Sequence, residues 1–60
     1  MDEEGAPQQR AAHFHGVAET LRGLAAACHY EPRRRDQLLA LADGFEWFAL
    51  RLEQEAAAEV

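Results

Sequence analysis

The chain has 60 residues, a net charge of −5 at neutral pH and a single cysteine. A chain of this length forms one domain at most and buries little surface on its own, and one cysteine excludes an internal disulfide. The negative charge argues against a general nucleic-acid binder and against an anionic membrane surface as partner. Oligomerisation or a protein partner is therefore the expected source of stability.

The first segment, residues 1–6, is acidic and is expected to form a flexible lead-in. It lacks the apolar core of a secretory signal. No apolar run in the chain approaches the ~18 residues of a membrane span, and a lone thiol is compatible with a reducing compartment. The expectation is a cytoplasmic protein that does not associate with membranes.

Helix 1 is predicted from about residue 7 to 29, with Pro7 at its first position. Apolar residues recur at heptad-like spacing and predict its core face: Phe14, Val17, Ala18, Leu21, Leu24, Ala25 and Cys28. A second side carries only small residues, at Gly16, Thr20, Gly23 and Ala27. Interior glycine costs roughly 0.5–1 kcal/mol relative to alanine. Either this surface tolerates the glycines, or bulky side chains of another helix pack there.

The turn is predicted at residues 29–32, because Pro32 disfavours helix at the residue before it and suits the start of the next helix. Helix 2 follows over about 32–58, and so short a connection makes the two helices antiparallel neighbours. Its predicted core face is centred on Phe45 and includes Leu38, Leu41, Ala42, Phe48, Ala49 and Leu52. In the resulting register Phe14 lies level with Phe48.

Three large apolar residues of helix 2, Leu39, Trp47 and Leu50, lie roughly 120–160° from the centre of this core face. A single two-helix hairpin cannot bury these three side chains in its core. The predicted fold is therefore all-α, an antiparallel two-helix hairpin that dimerises into a four-helix bundle. The predicted interaction surface is Leu39, Trp47 and Leu50, with Gly16, Gly23 and Ala27 as the strip that receives them.

The residue types that carry catalysis or bind metals are poorly placed. His13 and His15 diverge on one helix, and Cys28 and His29 follow about 20 Å further along it. A hairpin also offers no cleft that excludes water. No catalytic, cofactor or metal site is predicted, and a metal site shared between two antiparallel copies is the remaining alternative.

The charges divide between the two ends of the hairpin. Arg33, Arg34 and Arg35 lie at the tip, whereas the acidic lead-in and Glu53, Glu55 and Glu59 gather at the open end. An antiparallel dimer would place each basic tip beside the acidic end of its partner. The three arginines beside a helix start are also candidates for binding a phosphate, a nucleic-acid backbone or an acidic protein surface.

Two segments, AETLRGLAAA and RRDQLLALADGFEWFALRLE, flank the turn that ends in Pro32. They resemble short uncharacterised bacterial helical-hairpin proteins with the pattern A-E-x-L-R-x-L-A, then Pro, then R-x-x-L-L-x-L-A-x-x-aromatic-E. The resemblance covers about two-thirds of the chain. It implies a helical hairpin and assigns no site residues. The matching residues are Ala18, Glu19, Leu21, Arg22, Leu24, Ala25, Pro32, Arg35, Leu38, Leu39, Leu41, Ala42, Phe45, Glu46, Ala49 and Arg51.

These patterns predict a small non-catalytic interaction module that acts through helix–helix contacts and self-associates, with a dimer favoured. The first alternative is an accessory subunit or adaptor that becomes ordered on a larger protein partner. The second is a phosphate or nucleic-acid binder that uses Arg33–Arg35, although the net charge of −5 makes nucleic acid the weaker choice.

Overall fold

The computed structural model describes residues 6–58, which form two α-helices, α1 (Pro7–Ala26) and α2 (Pro32–Ala58). The helices pack side by side in opposite directions, which confirms an all-α helical hairpin. α2 continues through Gly44 without interruption. The predicted lead-in, apart from Ala6, lies outside the described residues. Neither helix has a stretch long and apolar enough to cross a membrane within this range.

The turn between the helices begins earlier than the sequence pattern predicts, since α1 ends at Ala26 and not near residue 29. The N–H of Ala27 donates to the carbonyl of Leu24 at 3.1 Å, and that of Cys28 to the carbonyl of Ala25 at 3.0 Å. Such i→i+3 bonds tighten the last turn of a helix and satisfy its terminal carbonyls. α2 then begins at Pro32, whose fixed φ suits the first helical position.

Alanines form the line of contact between the two helices. They recur every seven residues, and each is at most 2% exposed: Ala11, Ala18 and Ala25 on α1, and Ala42 and Ala49 on α2. Because alanine has only a methyl side chain, this seam lets the two backbones approach closely. Leu52, at 8% exposure, is the largest buried side chain of the described residues.

The residues that follow each seam alanine differ in character on the two sides of the hairpin. Three positions after each alanine lies an apolar residue: Phe14, Leu21, Cys28, Phe45 and Leu52. Four positions after each lies a polar residue: His15, Arg22, His29, Glu46 and Glu53. In an antiparallel pair, equivalent flanks of the two helices meet on the same side. The hairpin therefore has one apolar and one polar broad face.

The predicted core faces are correct in direction but wrong for three residues. Leu24, Leu41 and Phe48 were expected in the core, yet they are 52%, 54% and 53% exposed. Each lies one residue before a seam alanine, on the outer part of the apolar flank. The helices touch along the alanines, so the larger side chains are displaced to one side of the contact.

The hairpin is a thin slab whose principal extents are 46 × 21 × 10 Å. Two helices side by side make a layer one helix thick, and both broad faces of that layer meet solvent. Stable domains bury the apolar face of each layer against a second layer. This geometry makes the two broad faces the surfaces on which a function can be built.

Candidate interaction surfaces

The apolar broad face, named here the Phe48 face, contains the half-exposed side chains of Leu24, Leu41 and Phe48. Between them and the seam lie the partly buried Leu21 and Phe45, and the partly buried Val17 lies in the same outer row of α1 as Leu24. The Phe14 ring joins the two helices on this side, with its centroid 5.7 Å from that of Phe45 and 6.2 Å from that of Phe48. The Phe14–Phe48 contact agrees with the register predicted for this pair.

Trp47 extends the apolar surface around α2. The Trp47 and Phe48 rings meet edge to face at 5.5 Å, so the surface is continuous from one to the other. The guanidinium of Arg51 lies 5.0 Å from the centroid of the Trp47 ring, within cation–π range. The predicted Trp47 patch of Leu39, Trp47 and Leu50 is exposed by 39%, 53% and 48%.

The predicted receiving strip of Gly16, Gly23 and Ala27 is exposed along α1. A methyl group added at Gly16 or Gly23 would meet no atom within 4 Å. The other helix of the hairpin therefore does not use the close approach that these glycines permit. Docking of a further helix on this strip stays a prediction.

The polar broad face carries a row of alternating charges that connects α1 to α2. His15 Nε2 lies 2.9 Å from Glu53 Oε2, and His15 Nδ1 lies 3.0 Å from Glu46 Oε2. Glu46 also approaches Arg22 at 3.5 Å, and Arg22 approaches Asp43 at 3.6 Å. Five side chains thus run in the order Glu53, His15, Glu46, Arg22 and Asp43. Each of the three inner side chains has a partner of opposite charge on both sides when His15 is protonated.

His15 is the central group of this ion-pair row. Both ring nitrogens face carboxylates, and only the doubly protonated imidazolium can donate to both. The hydrogen bond to Glu53 is the largest cause that raises the pKa of His15 above 6.5, with Glu46 adding to it and partial desolvation opposing it. The row is therefore complete when His15 is charged, and it loses the two ion pairs with Glu46 and Glu53 when His15 becomes neutral.

The arginine cluster lies at the start of α2, where Arg33, Arg34 and Arg35 are all exposed. Arg34 approaches Glu31 at 3.9 Å and Arg35 approaches Asp36 at 3.7 Å. These are long contacts between exposed groups, which contribute little. Among the described residues, no group of three or more His, Cys, Asp or Glu side chains is placed to hold a metal ion.

The sequence interpretation treated the histidines as surface residues and missed the pairing of His15 with Glu46 and Glu53. A signal for it is present in the chain. Polar residues recur four positions after alanines that are seven apart, on both helices, and they are basic on α1 and acidic on α2. Once the alanines are taken as the contact line, this pattern predicts an interhelical ion-pair row.

Comparison of the chain with models of known protein families, with curated proteins and with solved structures finds no match. Two surfaces of the hairpin expose large apolar side chains, namely the Phe48 face and the adjoining Trp47 patch.

Proposed function

We propose that this chain is a small non-catalytic interaction module that acts through helix–helix contacts and self-associates into a four-helix bundle. The observation that supports the proposal is that the buried residues of the hairpin are mainly small apolar ones, whereas most of the large apolar residues are exposed. No large side chain of the described hairpin is fully buried, and the buried set consists of five alanines and one leucine. The exposed set includes Trp47, Phe48 and four leucines.

The energetics of burial favour association. Full burial of a Leu or Phe side chain stabilises by roughly 1.5–3 kcal/mol, whereas a buried methyl contributes only about 0.8 kcal/mol. An isolated hairpin with a core of methyl groups gains little against the entropy of ordering its helices. Covering the half-exposed side chains with a second layer supplies the missing burial, and two hairpins stacked face to face make a four-helix bundle.

The first experiment is sedimentation equilibrium of the purified chain over a wide concentration range, with helicity followed by circular dichroism. The proposal predicts a helical dimer at micromolar concentration, and helicity that falls as the dimer dissociates on dilution. A helical monomer at all concentrations would overturn self-association. A poorly helical monomer would overturn it too and would favour the alternative, an accessory subunit that folds on a larger partner.

A further inference from the structure

We infer that the Phe48 face binds a second copy of this chain. The two copies lie antiparallel, and their α2 helices contact each other through the same row of residues on each copy. This inference rests on the proposed self-association and assigns its surface and its orientation. The row runs along the outer edge of the Phe48 face at seven-residue spacing: Arg34, Leu41, Phe48 and Glu55. All four side chains of this row are exposed in the hairpin.

The order of residues in this row is self-complementary. A two-fold axis across the middle of α2 places Leu41 of one copy against Phe48 of the other, and the same axis places Arg34 against Glu55. The apolar pair lies at the centre and an opposite-charge pair lies at each end. A two-fold interface requires this kind of match, because every contact occurs twice with the partners exchanged.

α1 presents a matching row under the same axis. Arg10, Val17 and Leu24 are seven apart and each precedes a seam alanine. Val17 then meets Val17 of the second copy, and the aliphatic stem of Arg10 covers the half-exposed Leu24 while its charged head reaches water. Both helices therefore contribute to one continuous contact.

Charge favours the antiparallel over the parallel arrangement. A parallel pair would bring the exposed Arg33, Arg34 and Arg35 of both copies to the same end. Like charges that face each other destabilise an interface and select against the wrong orientation. The antiparallel pair places these arginines at the same end as Glu55 of the second copy.

The size of the face also suits a stable dimer. The broad side of the slab measures 46 × 21 Å, on the order of 1,000 Å². Standard protein interfaces bury about 800 Å² on each partner. The Phe48 face thus has enough area for a dimer, provided that most of it is covered, and a face-to-face hairpin pair covers it.

The surface assignment is tested with two leucines of α2 that are almost equally exposed, Leu41 at 54% and Leu50 at 48%. Leu41→Arg lies on the Phe48 face and should weaken dimerisation about 100-fold, because each substitution acts twice in the dimer. Leu50→Arg lies on the Trp47 patch and should leave the dissociation constant near that of the wild type. Both are measured by sedimentation equilibrium.

The outcomes separate this inference from the proposed function. A wild-type chain that stays monomeric overturns self-association itself. A wild-type dimer that Leu50→Arg disrupts and Leu41→Arg does not would leave self-association standing and overturn the assignment to the Phe48 face. Disruption by both to the same extent also overturns the assignment, since the two surfaces would then be equivalent.

The orientation is tested by exchanging charges in the row. Arg34→Glu and Glu55→Arg should each weaken self-association about tenfold, because each creates two like-charge pairs. An equal mixture of the two variants should restore wild-type affinity, since in the mixed dimer positions 34 and 55 again carry opposite charges at both ends of the row. Arg33→Glu makes the same charge change one residue away, off the row, and should have a smaller effect. Equal effects at positions 33 and 34, or a mixture that associates no better than its components, would overturn the pairing.

A distance measurement provides an independent test of orientation. Tyr30 is 94% exposed at the tip, so a spin label on the double variant Cys28→Ser/Tyr30→Cys reports the tip-to-tip separation. The antiparallel dimer predicts a separation comparable with the 46 Å length of the hairpin. Labels within roughly one hairpin width of each other, near 21 Å, would show a parallel pair and overturn the inference.

Discussion

The two broad faces of the hairpin flank the same alanine seam and are built on the same two backbones, yet only one of them is complete. On the polar face, His15 and Arg22 of α1 find Glu46 and Glu53 of α2 within 3.5 Å. On the Phe48 face, Leu41 and Phe48 remain more than half exposed. The difference shows that a single layer of two helices can satisfy its charges with internal partners and water. Its apolar side chains need a second layer.

The seam that separates the two faces offers the largest test of this comparison. Ala18 is 0% exposed, so Ala18→Leu would force the helices apart along both faces at once. Overpacking of a tight contact costs about 1–3 kcal/mol. We expect a loss of stability in this range, measured by thermal unfolding with circular dichroism at one fixed protein concentration.

Ala12 provides the matched control on the same helix, because it is exposed. Ala12→Leu adds the same atoms where solvent can accommodate them, and its effect should stay within about 0.5 kcal/mol. If Ala18→Leu were tolerated as well as Ala12→Leu, the alanines would not be the line along which the helices meet.

The polar face is tested by pH. The folded hairpin raises the pKa of His15, mainly through the hydrogen bond to Glu53, from an ordinary value of 6.5. A group with a raised folded pKa stabilises fully below its unfolded pKa, and the contribution is lost as the pH rises through the folded value. We therefore expect the thermal midpoint to fall as the pH is raised from below 6.5 to the alkaline side of the folded pKa.

Two histidine variants show whether this fall comes from the ion-pair row. His15→Gln should flatten the pH dependence in that range. His29→Gln, at the tip where the His29 and Tyr30 rings meet edge to face at 6.3 Å, should retain it. A His15→Gln variant with the wild-type pH profile would contradict the role given to His15.

The hairpin itself is predictable from the sequence, because its determinants are local. The apolar period of 3.6 residues indicates two helices, and Pro32 marks the start of the second. The end of α1 at Ala26 is less predictable, since Ala27 and Cys28 have no strong helix-breaking chemistry. Their N–H groups donate to the carbonyls of Leu24 and Ala25, bonds that tighten the last turn but leave no mark in the side-chain pattern.

The candidate surface is less predictable, because the most hydrophobic residues are not the ones that make the contact between the two helices. The apolar pattern places Leu41 and Phe48 in the same core face as Ala42 and Ala49, whereas in the hairpin only the two alanines are buried at the contact. Periodicity ranks residues by size and polarity, and a methyl group scores low on that scale. A shift of one residue rotates the helix by about 100° and changes which side chains remain exposed.

Gly44 provides the smallest and most specific test of how the Phe48 face is covered. It lies between Leu41 and Phe48, and an added methyl group would meet nothing within 4 Å in the hairpin. Gly44→Ala should therefore favour the helix by about 0.5–1 kcal/mol. Near the two-fold axis, however, the same methyl group enters the space that the second α2 helix needs. We expect weaker dimerisation by sedimentation equilibrium despite greater intrinsic helicity.

Gly23→Ala makes the same chemical change on α1, where an added methyl group is equally free of contacts in the hairpin. It should give the helical gain of about 0.5–1 kcal/mol without weakening the dimer. The opposite result, in which Gly23→Ala weakens association and Gly44→Ala does not, would favour the strip of Gly16, Gly23 and Ala27 as the surface that receives the second copy. A methyl group is tolerated where solvent fills the space and is not tolerated where a partner helix fills it. The pair of variants therefore shows whether the two copies approach each other closely at α1 or at α2.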